Sequence, residues 1–278
     1  MADWILRGGE VVDGSGRPRR RADVAIAGDR IASVGVVGKV AGAREIDVTG
    51  KIVAPGFIDV HTHDDRALLA TPEMAAKASQ GVTTVVTGNC GVSLAPLVLD
   101  TAPPPPLDLI GDTANYHYAR FADYLAGLDR APAALNAACL VGHSTLRVGA
   151  MTALDRPAEK AELARMGERL QEALDAGAVG LSSGLAYAPA ALAPASEIEA
   201  LAALLRPAGA LYTTHMRNEA DAVLDSLEES FAAGRAAGVP VLTCARHKGA
   251  WHGPARTGRQ PAEHASRRPA TGSAGPVP

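Results

Sequence analysis

The chain has 278 residues, a net charge of −3 at pH 7 and 47 % apolar content, a soluble globular composition long enough for one large domain or two ordinary ones. The balance gives no basic surface for nucleic acid, no apolar run reaches membrane length, and the residues around Asp3 and Arg7 do not make a signal peptide. Three widely spaced cysteines, Cys90, Cys139 and Cys244, form no paired framework and suit a reducing cytoplasm.

Residues 1 to 54 predict a small β-sandwich lobe of antiparallel strands. Trp4 to Gly9 reads as strand and turn, and Glu10 to Gly16 as a second strand ending in glycines. Ala22 to Ile26 and Asp29 to Gly35 flank a Gly28-Asp29 hairpin signal, and short strands over 46–50 and 51–54 close the lobe.

Pro55-Gly-Phe-Ile-Asp-Val-His-Thr-His-Asp64 follows. The turn and the apolar residues Phe57, Ile58 and Val60 predict a short buried strand ending in His61 and His63. Residues two apart share a strand face, so both imidazoles point one way and offer half of a zinc site. From here strands and helices alternate. Strand candidates are Thr83–Thr87, Ala137–His143, Val179–Ser183, Leu211–His215 and Val239–Cys244. Helices are expected over 72–79, 121–128, 156–176, 196–205 and 218–237. The third is the clearest, with Leu163, Met166, Leu170 and Leu174 at helical spacing and Gly177 as its C-cap.

This alternation argues for a parallel α/β sheet, open or closed into a barrel. Counted from the His-x-His strand it yields six strands by Cys244, against the eight of a TIM barrel. After Lys248 the sequence loses all Leu, Ile, Met and Phe, so 249–278 is expected to be disordered. Its Arg/Pro/Gly/Ala/His mixture resembles GC-rich DNA read out of frame, which suggests a frameshift or truncation near residue 245.

Barrel enzymes keep their chemistry at the C-terminal strand ends, and further candidates stand there. Thr87-Gly-Asn-Cys90-Gly91 would set a thiol above the barrel mouth, where zinc would hold it as thiolate. Thr213-Thr-His215-Met-Arg217-Asn-Glu219 offers another imidazole and a guanidinium suited to a carboxylate, although Arg217 and Glu219 also fit as surface charges of an early helix. Cys244-Ala-Arg246-His247-Lys248 offers a histidine beside a lysine suited to an anionic substrate. His143 and Tyr187, at the ends of the third and fourth strands, fit either as site groups or as hydrogen-bonded wall residues.

Taken with Val-Gly-His-Ser-Thr-Leu-Arg147, Gly-Leu-Ser-Ser-Gly-Leu-Ala-Tyr187 and Pro106-Leu-Asp-Leu-Ile, these strings resemble the N-acyl-D-amino-acid deacylase (D-aminoacylase) branch of the amidohydrolase superfamily, from residue 1 to about 248. The resemblance implies a (β/α)8 TIM-barrel metal-dependent hydrolase, here incomplete at about six βα units: a lobe over 1–54 and a partial barrel over 55–248. It implies zinc on Cys90, His215 and a sixth-strand histidine (His247), with His61 and His63 forming a weaker second site. It places His143, Tyr187, Arg217 and Lys248 near the substrate, a small N-acyl-D-amino acid cleaved to a carboxylic acid and a D-amino acid. The general base it implies is an aspartate at the end of an eighth strand, beyond the matching part of this chain, so weak or absent turnover is expected. Two other readings stay open. One is a cyclic-amide hydrolase of the hydantoinase or dihydroorotase kind, which uses a carboxylated lysine where this chain has Cys90. The other is a non-catalytic metal-binding remnant.

Overall fold

A computed structural model describes residues 2–244. Strand β1 (Trp4–Val11) runs unbroken where two strands were expected. Gly8 takes φ +71°, and the register against β2 (Arg20–Ala27) slips between Leu6 and Gly9. The glycine pair is thus absorbed as a β-bulge, not used as a turn. β3 (Arg30–Gly35) returns antiparallel on β2. β4 (Arg44–Asp47) and β5 (Ile52–Val53) then pair with β1 in parallel, contrary to the antiparallel expectation. The reason is topological: the chain crosses from β3 to the far edge of β1, and a crossover reverses the sense that a hairpin would give. Among the described residues the lobe is this one five-stranded sheet. Ile5, Val11, Val24 and Ala25 are buried, and Arg7 ties two neighbours to β1 through Asp23 (2.9 Å) and Glu45 (2.6 Å).

The remaining elements alternate. β6 (Phe57–Asp59) leads through two single-turn helices, α1 (Ala67–Ala70) and α2 (Ala75–Ala78), to β7 (Val82–Thr87). A hairpin of β8 (Leu97–Val98) and β9 (His117–Tyr118) precedes α3 (Phe121–Arg130). There follow β10 (Asn136–Gly142), α4 (His143–Ala150), α5 (Lys160–Ala176), β11 (Gly180–Gly184), α6 (Ala195–Ala202), β12 (Leu211–His215), α7 (Val223–Ala237) and β13 (Val241–Cys244). The six long-range strands make one parallel sheet in chain order, β6-β7-β10-β11-β12-β13. It curls so far that the side chain of Cys244, on β13, touches His61 just past β6. This is the incomplete (β/α)8 barrel.

Where helix boundaries differ from expectation, side chains explain it. α5 starts at Lys160 because Glu159 and Glu162 form a reciprocal capping box, and it ends on Gly177 at φ +113°. α7 starts at Val223 because the Asn218 side chain accepts the amides of Ala220 and Ala222 and holds those residues in a turn. α4 is the larger departure, since the strand reading ran on through His143. Its sequence is a mediocre helix former, and burial stabilises it: every residue from His143 to Arg147 is buried.

The main core lies between the sheet's outer face and its helices. Met166, Leu170 and Leu174 of α5 pack with Leu181, Ile198, Leu201 and Tyr212, and the hairpin excursion adds Leu97, Leu107, Tyr116 and Tyr124. No helix among the described residues is long and apolar enough to cross a membrane. The expected tail over 249–278, the suggested change of frame near 245, and residues His247 and Lys248 all lie outside the described residues.

Candidate metal centre

The inward face of the half-barrel is polar and buried. Ser183, on the opposite, helix-facing side with Leu181, lies with its Oγ 2.7 Å from both Tyr212 Oη and Thr214 Oγ1. Ser182 Oγ donates to the carbonyl of Gly88 and accepts the amide of Gly91 at 3.0 Å. Ser182 therefore grips the turn after β7 that carries Cys90. Within that turn Gly88, Cys90 and Gly91 all have positive φ, +76°, +54° and +77°. The turn lies directly on two other strand ends. A Cβ on Gly142 would stand 2.4 Å from the carbonyl oxygen of Gly91, and one on Gly184 would stand 2.2 Å from that of Cys90. Only glycine permits that approach, and it brings the Cys90 sulfur over the middle of the mouth.

His61 and His63 reach the same place from beyond β6. Thr62 between them is fastened by its amide (3.1 Å) and hydroxyl (2.9 Å) to the carbonyl of Val86, and the two imidazoles meet edge to face at 5.6 Å. One donor atom each from His61, His63 and Cys90 all fall within 4.8 Å of one another. Cys90 Sγ stands 3.2 Å from His61 Nε2 and 3.7 Å from Nδ1 of His215, at the end of β12. Zn–S of about 2.3 Å and Zn–N of about 2.0 Å, at a tetrahedral angle, put two co-ligands about 3.5 Å apart. The two observed separations bracket that value, so sulfur and imidazoles are spaced as zinc ligands.

Other groups also face these imidazoles. His215 Nε2 lies 3.5 Å from Glu219 Oε1, and its Nδ1 lies 3.2 Å from the hydroxyl of Tyr187. His61 Nδ1 lies 2.7 Å from Cys244 Sγ, whose thiol is pushed up to about 11 by burial and then by the charge of Glu219. A cavity of about 680 Å³ opens over the group, lined by His61, His63, Cys90, Tyr187 and His215 together with Asp64, Lys77, Cys244 and the apolar Val60, Leu109 and Leu242. Lys77 Nζ spans Asp59 (2.6 Å) and Asp64 (3.0 Å) at its wall. Behind it Asp65 is fully buried, and burial pushes its carboxyl up to about 7 although the Gly88 amide bonds to it.

Five of the expected site residues therefore share one cavity. Two stand elsewhere. His143 is entirely buried at the start of α4, and its Nε2 bonds to Glu197 Oε1 at 2.8 Å. Arg217 turns its guanidinium to Glu229 (2.7 Å) and to the carbonyls of Ala191 and Ala193. Neither lines the cavity, because each is drawn to a carboxylate outside it, Glu197 for His143 and Glu229 for Arg217. Lys77, Asp64 and Cys244 are cavity groups that the sequence reading did not single out. Asp64 adjoins the His-x-His and could have been suspected; Lys77 carries no local signal.

A parallel βα sheet with imidazole and thiol groups gathered at its C-terminal edge defines a barrel-type fold with a candidate metal site. The chain belongs to the amidohydrolase family, whose profile matches residues 44–269. Among curated proteins it is similar to the D-aminoacylase of Alcaligenes xylosoxydans xylosoxydans, with 51 % identity over 240 residues that make up 86 % of this chain and 49 % of that one. It is 50 % identical to the N-acyl-D-aspartate deacylase of the same organism, over 84 % of this chain and 47 % of the other. Among solved structures, the N-acyl-D-glutamate deacylase of Bordetella bronchiseptica, complexed with zinc and a phosphonate mimic of the tetrahedral intermediate, matches with a TM-score of 0.82 and 46 % identity, over 86 % of this chain and 50 % of that one. The chain spans about half the length of the curated relatives it matches. An L-hydantoinase from Arthrobacter aurescens, at 16 % identity and a TM-score of 0.56 over 87 % of this chain and 52 % of that one, shares the fold alone.

Proposed function

We propose that this site is the metal-binding part of a zinc-dependent N-acyl-D-amino-acid deacylase, which splits the amide to a carboxylic acid and a D-amino acid. The observation that carries the reading is Cys90 between His61 and His215 at ligand-like spacing. A thiolate replaces the carboxylated lysine of the cyclic-amide enzymes. Cys90 and His215 would hold the tighter zinc, and His61 with His63 the weaker position. His247, assigned by resemblance to the first set, and Lys248, assigned to the substrate, belong to this proposal too.

Zinc, when bound, supplies Lewis acidity at the acyl carbonyl. The chain's own residues do the rest. Tyr187 presents its hydroxyl beside His215, where it can hold the substrate's polar end. His143 and Arg217 act from behind the wall, locking the elements that carry the ligands. Asp64 is engaged by Lys77, and Glu219 stands against His215. Among the described residues neither Asp64 nor Glu219 is thus placed as a general base, and turnover is expected to lack the roughly 10² to 10⁴ that such a base contributes. Three cysteines that form no disulfide among the described residues suit a cytoplasmic setting.

The test is zinc content together with hydrolysis of N-acetyl-D-methionine and its L enantiomer by the full chain, beside a His61→Ala/Cys90→Ala variant. Bound zinc with slow, D-selective hydrolysis, both lost in the variant, is the expected result. A chain that takes up no zinc, or one that opens dihydrouracil in preference, overturns the reading.

A further inference from the structure

His61 stands between two sulfurs. Its Nε2 is 3.2 Å from Cys90 Sγ, near the spacing of two ligands on one zinc, while its Nδ1 is 2.7 Å from Cys244 Sγ. The second distance is far below the roughly 3.5 Å that co-ligands of zinc subtend, so Cys244 touches the ring directly, with no room for an ion between them. The two nitrogens of one imidazole cannot both keep a lone pair for metal, because a neutral ring carries one proton. Geometry divides the roles: Nε2 faces the donor cluster and Nδ1 faces Cys244.

Cys244 is also placed by backbone. In the β12–β13 ladder it is the register partner of His215, so the strand pairing that positions His215 positions Cys244 too. One residue thereby links the two imidazoles that flank Cys90: its main chain pairs with His215 and its side chain meets His61. His215 shows the same pattern, with Nδ1 toward Cys90 and Nε2 toward Glu219.

We propose that Cys244 is a positioning residue of the metal centre, its sulfur accepting the Nδ1–H of His61 and so holding the tautomer whose Nε2 lone pair points at the ion. The inference rests on the zinc reading above. A ligand histidine commonly donates its second N–H to an outer acceptor, and loss of such an acceptor costs about 10- to 100-fold in metal affinity. A sulfur in that role is a weak acceptor, and a serine hydroxyl would serve as well.

The experiment uses the full chain, and measures zinc dissociation constants for the native protein, Cys244→Ala and Cys244→Ser. Long-range ¹H–¹⁵N spectra of the imidazoles accompany it, with the His61 signals assigned by their loss in His61→Asn. The expected result is zinc binding weakened about 10- to 100-fold in Cys244→Ala and largely restored in Cys244→Ser, with His61 protonated on Nδ1 in the zinc-loaded native chain. Undiminished affinity in Cys244→Ala overturns the proposal. Equal loss in both variants also overturns it, since it would make the sulfur itself a ligand. The native spectrum needs no variant to fold, and metal found on Nδ1 is likewise fatal. A native chain that binds no zinc defeats the zinc reading first and this inference with it, whereas zinc bound equally by all three chains defeats this inference alone.

Discussion

Glu197 sits at the centre of the most deeply buried charge cluster in the half-barrel, and replacing it with glutamine isolates one energetic question. Arg147 is fully buried and Glu197 is 3 % exposed. The Glu197 carboxylate accepts from Arg147 Nη1 at 2.5 Å, from His143 Nε2 at 2.8 Å and from the Ala158 amide at 3.2 Å. Glutamine keeps the shape and, at Oε1, the acceptor that Arg147 and His143 share, but it removes the negative charge and sets an amide donor against the Ala158 N–H, so the buried guanidinium loses its counter-charge. Removing one member of a buried pair costs about 3–5 kcal/mol, because the surviving charge remains desolvated. At roughly 2–4 °C per kcal/mol for a chain of this size, Tm should fall by ~6–20 °C. The pH dependence has a definite sign. Burial alone would raise the Glu197 pKa, but His143 and Arg147 outweigh it and hold it down to about 2 from 4.5. That stability is present above pH 4.5 and is lost as pH falls toward 2. Burial lowers the pKa of His143 against the pull of Glu197, so its contribution is present above 6.5 and is lost as pH falls below that. Both act in one direction. Urea titrations at pH 7.5, 5.5 and 4 should show decreasing stability in the native chain. The Glu228→Gln control, from an exposed pair with Arg235, should cost under about 1 kcal/mol. If Glu197→Gln costs no more than Glu228→Gln, the burial argument is wrong.

Three further outcomes are expected. In Gly88→Ala the new Cβ would stand 2.2 Å from the carbonyl oxygen of Leu140 at a φ of +76°, so stability should fall by more than about 2 kcal/mol in urea titration and zinc affinity should fall with it. Cys139 is 4 % exposed, and burial pushes its thiol up to about 12; in the folded chain at pH 8 it should resist a thiol reagent that labels it after unfolding, as peptide mass mapping would show. β6 pairs only with β7 among the described residues and exposes Phe57 and Ile58 at 66 % and 61 %. Ile58→Lys should leave stability within about 0.5 kcal/mol while lowering self-association in sedimentation velocity, and unchanged association would show that this edge is not the sticky surface.

The sequence made the donors legible because each stands at the end of a recognisable strand: His61 and His63 after an apolar run, Cys90 between glycines, His215 after Leu-Tyr-Thr-Thr. What it hid are relations that exist only once the sheet curls. Cys244 meets His61 across 183 residues, and His143 meets Glu197 across 54. No periodicity records either. Gly142 and Gly184 were visible as glycines at strand ends, but their purpose, letting the Cys90 turn cross over them, depends on backbones from three strands meeting. In the lobe the Gly8-Gly9 pair read as a turn, since local composition cannot tell a bulge from a break. Arg217 was suspected of holding substrate because its chemistry suits a carboxylate. That chemistry is satisfied by Glu229 instead.

The positive φ of Cys90 sets conformation against chemistry at one residue. Gly88 and Gly91 in the same turn occupy the left-handed region freely, whereas a side chain there costs roughly 1–2 kcal/mol. For the apo chain, then, glycine is the better residue at position 90, and Cys90→Gly should be more stable than Cys90→Ala by about that amount. Cysteine earns its place only when something holds the sulfur. Folding and metal uptake thus draw on the same few degrees of backbone freedom, and a relative ranking of glycine, alanine and cysteine at this position, with and without zinc, would measure what the ion returns to the fold.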